Sequence, residues 1–99
     1  MAKRELESIV QEDMNCCYLC FTTRNLEVHH LIGAANRSNS DKYKLIVRLC
    51  KAHHTGSQGV HFNKELMQAF HELAQEKFEE RYSREKFVEV FGINYLEGT

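Results

Sequence analysis

Cys17-Tyr18-Leu19-Cys20 and Cys50-Lys51-Ala52-His53 each set two metal-binding side chains three positions apart, and 30 residues separate Cys20 from Cys50. Thiolates and imidazole are the ligands of tetrahedral zinc, and two such knuckles close a structural Cys₃His site from Cys17, Cys20, Cys50 and His53. Cys16 is a spare that could replace Cys17 through a C-x-x-x-C spacing, although the two-residue gap is the commoner geometry. A redox dithiol is the other reading of C-x-x-C. It calls for a motif that opens a helix after a strand in a βαβ chain, and the order of residues here differs. Two His pairs, His29-His30 and His53-His54, lie 24 residues apart. With His53 in the knuckle, His29, His30, His54 and His61 remain. An imidazole titrates near neutral pH and serves either as a proton acceptor or as a transition-metal ligand. The expectation is therefore two sites with different duties, one structural and one chemical.

The elements that must position these groups can be read from periodicity. Residues 26–32, Leu-Glu-Val-His-His-Leu-Ile, predict a strand that sends His29 and His30 to opposite faces, so that one can bind a metal while the other faces substrate. Residues 33–44 are rich in Gly, Asn, Ser and Asp and predict a polar loop of a length that is often functional. Residues 45–49 predict the returning strand, and Thr55–Gly59 a glycine-bearing turn. Leu6, Ile9 and Val10 predict an amphipathic packing helix over residues 2–13. Asn63 can cap a helix running to Tyr82, with Leu66, Phe70, Leu73, Ala74 and Phe78 as its apolar stripe and His71 in a structural or surface role beside it. Ser83 can cap a last helix carrying Phe87, Val88 and Phe91 and ended by Gly92, after which Asn94-Tyr95-Leu96 folds back.

At 99 residues the chain is expected to form one domain, 1–99, of a size that metal sites commonly support. Its opening residues do not read as a secretory leader, and no apolar stretch is long enough for a membrane span, so the expected setting is cytoplasmic, where Cys pairs signal metal or redox chemistry. The net charge of −1 hides an asymmetry. Residues 31–64 carry six Lys or Arg against one acid, whereas residues 65–99 carry four against eight. Positive charge therefore gathers around the Cys/His cluster, where Arg37, Lys42, Lys44 and Lys51 can neutralise phosphates; a solvated basic loop is the bland alternative.

The order C-x-x-C, His-His strand, polar loop, strand ending Leu49-Cys50-x-x-His53-His54, then Gly59-Val60-His61-Phe62-Asn63, resembles the zinc-containing HNH nucleases, and among them the small HNH-type proteins of bacteriophages. The resemblance covers residues 16–63 and leaves 63–99 as a helical extension. It implies an α+β fold with a ββα-metal, treble-clef-like core, a structural zinc knuckle, an N-terminal helix and C-terminal helices. It further implies a metal-dependent DNA endonuclease: His30 matches the general base, His29 and His54 match ligands of a catalytic Mg²⁺, Mn²⁺, Ni²⁺ or Zn²⁺, and His61 falls near a further ligand position. Cleavage would leave 5′-phosphate and 3′-hydroxyl ends, with a phage or host DNA-processing protein as a partner. One departure stands out. Lys44 occupies the slot of the family's middle Asn, with Asn36, Asn39 and Asp41 as the substitutes within reach. The competing readings are a non-catalytic zinc-stabilised module that binds nucleic acid or protein, and an interaction protein that docks through its acidic C-terminal third.

Overall fold

The two short apolar runs on either side of the polar segment pair as an antiparallel hairpin in the computed structural model, which describes residues 7–56 and 59–96. Strand β1 is Leu26–His30 and strand β2 is Ile46–Cys50, in the register Leu26↔Cys50, His29↔Val47 and His30↔Ile46. Both strands lie within a residue or two of their expected bounds. Because side chains alternate along a strand, Glu27 and His29 share a face with the fully buried Val47 and Leu49, while His30 stands on the other face.

The polar segment is not a loop. It forms a 3-10 turn, Ala34–Asn36, and a helix α1, Arg37–Lys42. The cause is an inward use of its polar side chains. The buried Ser40 hydroxyl accepts from the Ile32 amide at 3.1 Å and donates to the Ile32 carbonyl at 2.6 Å. Asn36 and Asn39 donate to the carbonyls of Phe91 and Val90 at 3.0 and 3.2 Å. Composition that would normally be solvated instead ties the segment to the end of β1 and to the last helix.

The expected N-terminal helix is also corrected. Of residues 2–13, those up to 6 lie outside the described residues, and 7–13 are not helical. The Ser8 hydroxyl accepts from the amides of Val10 and Gln11, and it donates to the Ile46 carbonyl at 2.5 Å. The Ile9 amide donates to the Lys44 carbonyl at 3.0 Å. The Gln11 amide group, on a buried side chain, accepts from the Arg48 amide and donates to the carbonyls of Asp13 and Cys16. These bonds satisfy the open edge of β2, which a free amphipathic helix would leave exposed.

After β2 comes a single helical turn, α2, Lys51–His54, then a 3-10 turn at Val60–Phe62. Helix α3, Lys64–Glu79, starts where Asn63 Oδ1 accepts from the Leu66 amide at 3.0 Å. Helix α4, Arg84–Phe91, starts at Ser83 in the same way and stops at Gly92, which adopts the left-handed conformation at φ 80°. Residues 94–96 do fold back: the buried Gln75 side chain accepts from the Tyr95 amide at 2.7 Å and donates to Asn94 at 2.8 Å. The core runs from Cys17, Leu45, Val47 and Leu49 on the hairpin side to Phe70, Phe78, Phe87 and Phe91 on the helices. Among the described residues, no helix is long and apolar enough to cross a membrane.

Candidate metal centres and the imidazole cleft

Cys17 and Cys20 sit on a tight turn in which the Phe21 amide donates to the Cys17 carbonyl at 2.9 Å and the Cys17 amide to the Thr22 carbonyl at 2.8 Å. The Tyr18 amide docks this turn on the Arg48 carbonyl of β2 at 2.7 Å. Cys50 closes β2 and His53 follows on α2, so the second couple arrives from the opposite side. Cys20 Sγ lies 3.8 Å from Cys50 Sγ, and His53 Nδ1 lies 3.2 Å from Cys50 Sγ and 3.9 Å from Cys17 Sγ. All four ligand atoms fall within 4.8 Å of one another, and none of the thiols is in a disulfide. Sulfurs held about 2.3 Å from a tetrahedral zinc stand roughly 3.8 Å apart, so the donor set fits that ion in both chemistry and spacing. Cys16 is outside the set, with its thiol toward the Asp13 carbonyl. Burial alone would raise the Cys17 thiol, but hydrogen bonds from the backbone of Cys50, Cys20 and Leu19 outweigh it and bring it down to about 6, which favours the ligating thiolate.

The second group gathers around His29. Its ring lies 5.2 Å from that of His54 and 5.6 Å from that of His61, centroid to centroid, and His54 and His61 are 5.0 Å apart. One ligand nitrogen from each of the three falls within 4.8 Å of the others. His29 comes from β1, His54 from α2 and His61 from the 3-10 turn before α3, so three separate elements converge. His29 is only 4% exposed, and its Nε2 is buried without a hydrogen-bond partner. Burial first, then the proximity of His54, His61, His30 and His71, pushes its pKa down to about 3, which keeps the ring neutral with a lone pair free. A buried orphan nitrogen facing two more imidazoles is what a bound divalent transition metal would satisfy.

Two carboxylates complete the arrangement. Glu27 Oε1 lies 2.6 Å from His54 Nδ1. A carboxylate there holds the proton on Nδ1 and turns Nε2 outward as the donor, the usual support behind a metal-binding His. Asp41 Oδ1 lies 2.8 Å from His30 Nε2. Of the three candidates for the middle Asn position, then, Asp41 is the one that reaches His30, while Asn36 and Asn39 brace α4. Glu27 was not singled out from sequence, yet a signal existed: in a strand, i and i+2 share a face, which puts Glu27 beside His29.

His29, His30, His54 and His61 line one cleft of about 780 Å³, and Arg37 lies on its lining as well. The other three basic candidates do not line it. Lys44 pairs with Glu7, Lys42 sits over the Tyr43 ring at 5.6 Å, and Lys51 lies on α2. No family model, curated protein or solved structure matches this chain, so the site stands on its own geometry.

Proposed function

We propose that the protein is a metal-dependent DNA endonuclease of the HNH type, with a ββα-metal core formed by β1, β2 and α2 and a structural zinc held by Cys17, Cys20, Cys50 and His53. The observation that carries this reading is the orphan Nε2 of His29. His29 is grouped with His54 and His61, one ligand nitrogen of each within 4.8 Å of the others, in a cleft that also holds a carboxylate-supported imidazole, His30. His29, His54 and His61 would hold the catalytic ion. Such an ion, when bound, supplies Lewis-acid stabilisation of charge on a phosphate and its departing oxygen.

The chain's own residues supply the rest. Asp41 is acceptor-only when ionised, so its bond to His30 places the proton on Nε2 and the lone pair on Nδ1. That lone pair takes a proton from the attacking water, and Asp41 stabilises the imidazolium that forms. Arg37 carries positive charge at the cleft without an ion pair among the described residues, and it neutralises a phosphate of the bound strand.

The test is nicking of supercoiled plasmid by purified protein with Mn²⁺, Ni²⁺, Mg²⁺ or Zn²⁺, beside His30→Ala. Metal-dependent nicking is expected, falling roughly 10²–10⁴-fold in the variant, the range of a general base. Folded, zinc-loaded protein that cuts no DNA with any of these ions would overturn the reading in favour of a non-catalytic binding module.

A further inference from the structure

The cleft that holds the imidazoles has a mixed lining. His29, His30, His54, His61 and Arg37 are its polar part. Its apolar part, here called the wall, is left unused by the nuclease reading: Val28, Ile32, Met67, Phe91, Ile93 and Tyr95. Phe91, Ile93 and Tyr95 of this wall come from the end of α4 and the segment after it. Gly92 turns the chain out of α4 with φ 80°, Gln75 then anchors Tyr95 through its amide, and Ile93 between them is left 45% exposed at the rim. Tyr95 itself packs against His71, with ring centroids 4.5 Å apart and the ring planes tilted by 32°. Gly33, also on the lining, has open space where a Cβ would stand, so a flat group can approach the backbone there.

We infer that this apolar wall is a pocket for an unpaired nucleobase, and that the enzyme acts on single-stranded or locally unpaired DNA in preference to intact duplex. The inference rests on the nuclease reading for the position of the phosphate. An apolar helix would satisfy the wall but would bury the imidazoles and Arg37 without acceptors. A nucleotide satisfies both parts of the lining at once: its phosphate meets Arg37 and the imidazole group, and its π-face meets the wall. A base inside a duplex cannot do this, because both of its faces are already stacked and the helix presents phosphate and sugar outward.

Two readouts test it. In the first, an oligonucleotide is offered with Mn²⁺ as a single strand and as a perfect duplex to the parent, Ile93→Asn and Ile93→Trp. The parent is expected to cut the single strand faster. Ile93→Asn should lower the single-strand to duplex ratio by roughly tenfold, the scale of losing one buried aliphatic contact, and Ile93→Trp, which adds an aromatic face for stacking, should raise it. In the second, His30→Ala protein is mixed with a single strand carrying 2-aminopurine, and the change in base fluorescence on binding should be lost when Ile93→Asn is added. Equal cutting of both substrates, indifferent to either Ile93 variant, would overturn the pocket and leave the nuclease standing. Absence of cleavage by the parent on every substrate would overturn the nuclease instead. An unchanged 2-aminopurine signal would overturn the pocket whether or not cleavage occurs.

Discussion

At the scale of single residues, the histidines differ in what lies behind each ring, and the proposed roles follow that difference. His54 has Glu27 at its Nδ1, His30 has Asp41 at its Nε2, and His29 has nothing at its Nε2. Glu27→Gln removes the charge behind His54 while keeping the shape. Metal affinity of the imidazole trio should fall about 10–100-fold, as for other carboxylates behind a ligating His. Titration with Mn²⁺ or Ni²⁺ would show this, while zinc content stays as in the parent; unchanged affinity would detach Glu27 from the site. Asp41→Asn should lower the nicking rate without lowering metal affinity, and it should shift the pH–rate profile, because it acts on the proposed proton acceptor, His30, rather than on the ion. The knuckle residues were legible because their spacing is nearly self-sufficient: short couples on tight turns place their ligands locally. Glu27 was legible in principle through strand alternation. Asp41 was only one of three open candidates, because its contact to His30 depends on α1, which composition had disguised as loop.

At the scale of elements, the caps were the most readable feature and the polar segments the least. Asn63, Ser83 and Gly92 mark helix ends through local chemistry alone, and all three do so here. Gly92→Ala forces a side chain into the left-handed region and should destabilise by roughly 1–2 kcal/mol in urea unfolding, with open space around the position leaving no clash to add. The described residues 7–13 and the segment 33–44 depart from expectation for a shared reason. Ser8, Gln11, Asn36 and Asn39 each make at least one hydrogen bond with a backbone group distant in sequence, and Ser40 ties back to Ile32 on the preceding segment. Helical spacing of Leu6, Ile9 and Val10 could not reveal that β2 has an edge needing partners. Ser40→Ala tests this tertiary use of polarity. It strands a buried Ile32 amide and carbonyl, and it should cost about 1–3 kcal/mol, whereas a true loop serine would cost almost nothing.

At the scale of the whole molecule, the question is what a 99-residue chain uses to hold three convergent histidines in place. Its core joins the hairpin to the helices, and two knuckle ligands belong to that core: Cys17 is fully buried and Cys50 is 7% exposed, both within the cluster that contains Leu49, Phe70 and Phe78. The knuckle is therefore part of the packing, not an appendage. With no metal bound, this cluster leaves three thiols and an imidazole crowded together with nothing to neutralise a thiolate, and a domain this small has little other stability to draw on. Chelation should accordingly abolish the cooperative thermal transition, and Cys50→Ser should behave like the chelated parent. Acid should act in the same direction. Thiolate ligands take up protons as pH falls, and His71, whose pKa burial holds below its ordinary 6.5, adds stability that is present above 6.5 and is lost as pH falls below it, because the unfolded chain binds a proton that the fold refuses. Melting followed by circular dichroism between pH 8 and 5 would check both effects. Glu27→Gln supplies the contrast, since weakening the imidazole trio should leave the melting curve unchanged if the knuckle carries the fold and the cleft carries the chemistry. A chelated protein that still melts cooperatively at the parent's temperature would show that the hydrophobic core suffices by itself and would reduce the knuckle to a local clasp.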